Sequence, residues 1–140
     1  MHAWKKTIVT VLIVLGAIIM LRLPYFVDDL ACDNYKKSIE SSMASVTEIE
    51  VLDVLNGCGN IANGDHTFLI VNVLIKTNLA KEAVENKFSD AYDIVNFNDL
   101  YSESKTGKRF SSYVTDDTEN YYVVVYAKSA PLYWFDLRGH

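Results

Sequence analysis

Few side chains in this 140-residue sequence combine the type and the spacing that a reactive site needs. His66 directly follows Asp65, and a histidine beside a carboxylate can act as a general base. The sequence places no Gly-x-Ser-x-Gly motif or other activated nucleophile with this pair. Because a single histidine at the start of a strand is usually a solvated turn residue, we expect a protein without catalytic activity. A small-ligand or hydrolytic pocket near His66 is the alternative.

The two cysteines of the chain, Cys32 and Cys58, both follow its apolar N-terminal segment. An even number of cysteines in an exported domain predicts one disulfide bond, which here closes a loop of about 26 residues. In the chain-entropy model such a bond contributes about 3 kcal/mol. Two buried thiols that are not joined are the alternative. Since only His66 and His140 accompany the cysteines, the sequence has no four-ligand zinc pattern, and we expect no cofactor.

Two short charged segments also carry side chains that are suited to ligands. Asp116, Asp117 and Glu119 have carboxylates of the kind that bind calcium, but the alternating ligand spacing and fixed glycine of an EF-hand loop are absent from the sequence. We therefore interpret this segment as a polar turn. The basic segment from Lys105 to Arg109 can attract an anionic partner or a lipid headgroup. We interpret it as a solvated turn on an acidic domain.

The aromatic C-terminal segment is the strongest candidate for a binding surface. Tyr121 to Lys128 and Leu132 to Arg138 are predicted to be two strands joined by a three-residue turn. Strand alternation places Lys128, Asp136 and Arg138 on the face that we expect to be exposed, together with three aromatic side chains. The predicted binding residues are Tyr122, Tyr126, Trp134 and Arg138. The alternatives are that a helix covers this face or that the aromatic side chains only pack across strands.

The elements that position these residues begin with an uncharged apolar run from Thr7 to Leu21. Its 15 residues cover about 22 Å as a helix, whereas the hydrocarbon core of a bilayer is about 30 Å thick. The segment up to Val27 supplies the missing length if the Arg22 side chain extends toward the headgroups. The sequence therefore predicts an uncleaved signal-anchor that crosses the membrane once.

The two alternatives to an uncleaved signal-anchor are cleavage as a signal peptide and lipidation at Cys32. Cleavage as a signal peptide requires a small-x-small site, and none follows the apolar run. Lipidation at Cys32 requires leucine three residues before the cysteine, and Asp29 occupies that position. Both alternatives are less favoured than the anchor.

The basic residues beside the apolar run predict its orientation. Lys5, Lys6 and the amino terminus lie on one side, which the positive-inside rule places in the cytoplasm. Everything after Val27 is then extracytoplasmic. This part has 10 basic and 18 acidic residues, a formal charge of −8, which argues against binding to nucleic acid or to anionic lipid. A protein or peptide partner is compatible with this composition. The sequence does not indicate the oligomeric state.

The predicted architecture has two parts. Residues 1–27 form a cytoplasmic stub and the transmembrane helix, and residues 28–140 form one extracytoplasmic α+β domain with helices on one face of a mostly antiparallel sheet. The predicted order is α-β-β-α-β-β-β. The elements are a helix over Asp28 to Ala44, strands from Ile49 to Leu55 and from Thr67 to Lys76 with Cys58 in the loop between them, a helix from Thr77 to Tyr92, and strands over Phe110 to Thr115, Tyr121 to Lys128 and Leu132 to Arg138. Cystatin-like and NTF2-like curved sheets have comparable orders, and no residue motif selects either.

Overall fold

The structure is a computed structural model that describes residues 2–61, 66–99, 105–114 and 120–133. It is an α+β fold with a long apolar N-terminal helix and a four-stranded antiparallel sheet. The elements are α1 (His2–Met43), β1 (Ile49–Gly59), β2 (Phe68–Thr77), α2 (Lys81–Lys87), β3 (Asp93–Asn96), a 3₁₀ turn (Phe97–Asp99), α3 (Lys105–Phe110) and β4 (Asn120–Ser129).

Helix α1 is continuous for 42 residues and passes through the predicted boundary after Val27. Its first half exposes large apolar side chains, such as Leu12 at 62% and Met20 at 78%. Burial begins at Pro24 and then follows a helical spacing along one side of the second half. The buried residues on that side include Asp28, Cys32, Ile39 and Met43. The first half of α1 is therefore exposed and apolar, whereas one side of the second half is part of the domain core.

The sheet is built on the β1–β2 hairpin, which confirms the predicted pairing of these two runs. The strand order is β1-β2-β4-β3 and every neighbouring pair is antiparallel. The hairpin register pairs Val54 with Val73 and Cys58 with Leu69. Cys58 was predicted to lie in the loop, and this prediction is wrong, because β1 continues to Gly59.

One face of the sheet packs against α1 and α2. Alternate residues of β2 and β4, including Val73 and Val124, are fully buried on this face. Val84 and Phe88 cover it from the α2 segment, and Ile39 and Met43 cover it from α1. This packing removes the largest apolar surface of the domain from water, which is the main favourable contribution to folding.

The opposite face is also covered, contrary to the prediction that helices pack on one face only. Phe110 at the end of α3 is 0% exposed and packs against Leu74 and Val123. The predicted basic turn over residues 105–109 is therefore helical, and the strand predicted from Phe110 is wrong. The Phe110 side chain explains the difference, because a helix ending there places its ring on the apolar second face of the sheet.

Strand β4 lies between β2 and β3 instead of forming a hairpin with the segment that follows it. Tyr122 pairs with Ile75 on β2 and with Asn96 on β3. The residues that follow Ala130 form a turn through Tyr133, so the predicted strand does not begin at Leu132. The rest of that predicted strand, residues 134–138, lies outside the described residues.

The helix predicted from Thr77 to Tyr92 is shorter than expected. It begins at Lys81, with Ala80 as an N-cap that makes no side-chain hydrogen bond. The Thr77 hydroxyl instead donates to the Glu48 carbonyl at 2.8 Å, which ties the end of β2 to the turn before β1. Tyr92 is 58% exposed, so it does not belong to the apolar stripe of the helix.

We expect Phe110→Ala to lower the free energy of unfolding by about 3–5 kcal/mol, because the substitution leaves a cavity at a fully buried aromatic site. Tyr113→Ala is the matched control, since Tyr113 lies three residues away and is 40% exposed. Its effect should stay below about 1 kcal/mol. Urea denaturation of the chain in detergent micelles measures both. Equal losses in the two variants would contradict the packing of α3 on the second face.

Candidate functional site

Two of the four residues of the predicted aromatic binding face, Tyr122 and Tyr126, are buried. Tyr122 and Tyr126 are 3% and 4% exposed and belong to the core cluster with α1 and α2. Burial raises the pKa of both phenols, and the Tyr122 hydroxyl donates to the Leu79 carbonyl at 3.4 Å. The expectation of a solvated face is therefore wrong for these two residues. The other two predicted binding residues, Trp134 and Arg138, lie outside the described residues.

His66 lies among aromatic rings. The centroid of its imidazole is 4.6 Å from that of Phe68 and 4.9 Å from that of Tyr133. These contacts connect the start of β2 with the turn after β4 and give His66 a packing role. Its partner in the predicted general-base pair, Asp65, lies outside the described residues, as does the acidic segment 116–119. The pocket near His66 stays a prediction.

The Cys32 and Cys58 side chains form the most chemically distinctive pair in the described chain. They lie 4.1 Å apart, although one belongs to α1 and the other to β1. The predicted proximity is thus present, but the predicted disulfide is not formed, and both side chains are reduced thiols. Each thiol instead donates to a backbone carbonyl, Cys32 to Gly57 at 3.2 Å and Cys58 to Asp28 at 3.5 Å. These bonds connect α1 and β1 at the thiol pair.

Polar side chains fix the two elements on which the thiols lie. Asp28, one turn before Cys32, is 0% exposed, and its Oδ1 accepts the backbone N–H of Leu132 at 2.9 Å. On the other side of the pair, the Asn56 amide donates to Asp33 Oδ1 at 2.8 Å. Sequence reasoning did not identify Asp28 or Asn56. The helical spacing of Asp28 and Cys32 was the available signal, since residues four apart share one helix face.

The Cys32 thiol lies beyond the apolar segment and ionises unusually easily. Its pKa is lowered from 9.0 to about 7, chiefly by the hydrogen bond with Cys58, with further contributions from the Asn56 side chain and from backbone hydrogen bonds at Ile70 and Gly57. Burial acts in the opposite direction. A substantial fraction of Cys32 is therefore a thiolate near neutral pH, and the thiolate is the nucleophilic form of cysteine.

A shallow cavity of about 330 Å³ lies on the opposite side of β1 from the thiol pair, between the second face of the sheet and α3. Its lining is mostly apolar and includes Leu55, Gly57, Cys58, Ile70, Asn72 and Arg109. The Arg109 guanidinium is held by Asp53, with 2.8 Å between Nε and Oδ2, so its charge is already balanced. The cavity is therefore better suited to an apolar group than to an anion.

The described residues contain no group of three or more histidine, cysteine, aspartate or glutamate side chains placed to hold a metal ion. The chemistry that the described geometry supports is that of the two thiols. Comparison with protein-family models, with curated proteins and with solved structures found no match to this chain. Its function must therefore be argued from its own residues.

We expect the pKa of Cys32 to rise toward its ordinary value in Cys58→Ala, because the hydrogen bond that most strongly lowers it is removed. The ultraviolet absorbance of the thiolate, followed against pH, measures this change. In the wild-type chain the pKa of Cys32 in the folded state lies below its pKa in the unfolded state. Ionised Cys32 therefore adds stability that is complete above the unfolded pKa and is lost as the pH falls through about 7. An unchanged titration in Cys58→Ala would show that Cys58 does not set the pKa.

Proposed function

We propose that this chain is a single-pass, membrane-anchored interaction module whose folded domain is extracytoplasmic and binds an extended segment of an envelope protein. The observation that carries the proposal is the uninterrupted helix α1. Its first half exposes apolar side chains, and its second half packs on the sheet. One helix of the described chain, α1, is long and apolar enough to cross a membrane. Anchor and domain then share one rigid element.

The length of α1 supports a domain held close to the bilayer. Its 42 residues correspond to about 63 Å, roughly twice the thickness of the hydrocarbon core. If the segment up to Val27 occupies the bilayer, Cys32 lies only about 7 Å farther along the helix. Lys5 and Lys6 favour a cytoplasmic N-terminus, which directs the domain to the other side. The domain would then meet partners at the membrane surface without a flexible linker.

The outer edge of β1 replaces the C-terminal hairpin as the proposed contact surface. In the part of the chain that the structure describes, β1 pairs only with β2 and is 11 residues long, whereas the opposite edge strand β3 has four residues. A long edge strand presents backbone N–H and C=O groups that an extended peptide can pair with. An irregularity between Val51 and Asp53 interrupts the first part of β1, so the segment from Val54 to Gly59 is the better docking edge.

Gly57 supports docking at this part of β1. A Cβ atom built at Gly57 would have no neighbour within 4 Å, and Gly57 also lines the 330 Å³ cavity. Glycine within a strand often marks a close approach of another backbone. In strand addition, main-chain hydrogen bonds supply affinity and pockets for alternate side chains supply specificity. An apolar side chain of the added strand fits the composition of this cavity.

The topology is tested by labelling intact cells with a membrane-impermeant thiol reagent. We expect an engineered cysteine at Ser111, on the exposed surface of the domain, to be labelled, whereas one at Ala3 is labelled only after the cells are permeabilised. The parent chain measures the contribution of Cys32 and Cys58. Labelling at Ala3 but not at Ser111 in intact cells would reverse the proposed orientation.

The contact surface is tested by photo-crosslinking in native membranes. A photoreactive residue at Asn60, exposed directly after β1, should capture one defined protein, whereas the same residue at Glu85, exposed on α2, should not. Gly57→Leu should reduce capture at least about tenfold, because the new side chain fills the space beside β1. The backbone there is not in the left-handed region, so the fold should tolerate the change.

Glu85→Leu is the control for adding an apolar side chain elsewhere on the domain surface. Circular dichroism and urea denaturation confirm that both variants are folded. Equal capture from Asn60 and Glu85, or full capture by folded Gly57→Leu, would contradict docking on β1.

A further inference from the structure

We propose that Cys32 and Cys58 form a thiol–disulfide exchange site that reduces the disulfide of a second molecule while the pair itself becomes oxidised. This goes beyond partner binding, because it assigns the domain a redox reaction. The proposal stands on the position of the two thiols, which α1 and β1 bring to 4.1 Å from elements far apart in sequence. Its substrate class is a disulfide, either in a small molecule or in an exposed protein loop.

The α1–β1 contact presents the two thiols in a geometry that favours an intramolecular bond. A disulfide requires sulfurs about 2.05 Å apart, so the side chains must close by about 2 Å from their present separation. Hydrogen bonds from the thiols to Gly57 and Asp28 must break, but the backbone bonds of α1 and β1 need not. The pair is therefore close enough to join by rotation of the side chains.

The difference in exposure assigns the two thiols separate roles. Cys32 is 2% exposed, whereas Cys58 is half-buried. An incoming disulfide can therefore reach Cys58 first. Cys32 is then placed behind Cys58 to resolve the mixed disulfide. The lowered pKa of Cys32 supports this second role, because a thiolate is the attacking species in exchange.

The exchange balances without any further oxidant. The Cys58 thiol loses its proton and attacks one sulfur of the substrate disulfide, which forms a mixed disulfide and releases one substrate thiolate. The Cys32 thiolate attacks the Cys58 sulfur, which forms the Cys32–Cys58 bond and releases the second substrate thiolate. Two protons from the cysteines are taken up by the two thiolates. The substrate gains two electrons, and the cysteine pair loses two.

The oxidised pair would join α1 to the edge strand that carries the proposed docking surface. Cys58 directly follows Gly57, whose carbonyl oxygen accepts a hydrogen bond from the Cys32 thiol. The Cys58 side chain faces α1, so the exchange site is separate from the cavity on the other side of β1.

Oxidised glutathione tests the proposal on the full chain, reduced and purified in detergent, where no membrane partner is required. After acid quenching and alkylation, mass spectrometry should show that wild-type protein forms the Cys32–Cys58 bond and only a transient glutathione adduct. Cys32→Ser should accumulate a stable adduct on Cys58. Cys58→Ser should form at least about tenfold less adduct on Cys32, because that thiol is buried.

The result is interpretable even if a variant fails to fold. Early quenching of the wild-type reaction maps the transient adduct directly, and it should lie on Cys58. Comparable adducts on both cysteines, a glutathione adduct that persists in folded wild-type protein, or no reaction of the reduced pair would each overturn the proposal. Because the assay uses no envelope protein, its failure leaves docking on β1 untouched, and loss of docking leaves the exchange reaction untouched.

Discussion

The packing of the second half of α1 on the sheet is the interaction on which the rest of the structure depends. Ile39 and Met43 complete the core on one face, and Asp28 binds the backbone after β4 through Leu132 N. The same contact places Cys32 beside β1. An apolar helix face and an apolar sheet face each need a partner, and here they cover each other. Because the same helix also contains the apolar N-terminal segment, α1 fixes the orientation of the domain relative to that segment.

Local patterns predicted β2 and β4 along the chain but not α3, and they did not predict which strands would be neighbours. The run from Thr67 to Lys76 is continuous in apolar character, and it forms β2 in a central position. The run from Tyr121 to Lys128 has the same character, yet polar residues near its end suggested an exposed face. Both faces of β4 are covered, so Tyr122 and Tyr126 are core residues. The burial of these tyrosines depends on which strands lie beside β4. That strand order results from pairing between distant segments, which the local alternation of residues does not predict.

In the candidate site, too, the residue types could be recognised from the sequence, but their contacts depend on long-range packing. Counting cysteines predicted a Cys32–Cys58 disulfide that the structure does not contain, and it could not predict that the two thiols donate to the backbone carbonyls of Gly57 and Asp28. Those acceptors are supplied by the docking of α1 on β1. The cavity on the opposite side of β1 likewise arises where α3 covers the second face. The thiol pair and the cavity therefore lie on the two sides of one edge strand, because α1 packs on one face of the sheet and α3 on the other.

The central claim is that anchor and domain share one rigid helix. Hydrogen exchange of the chain in lipid nanodiscs, read residue by residue along α1, tests this most directly. Apart from Pro24, which has no amide hydrogen, residues should be protected continuously from the apolar segment through Val27 and Cys32 to Ile39, since α1 continues through Pro24. Fast exchange confined to the region around Val27, with protection on either side, would show a flexible joint and contradict the account.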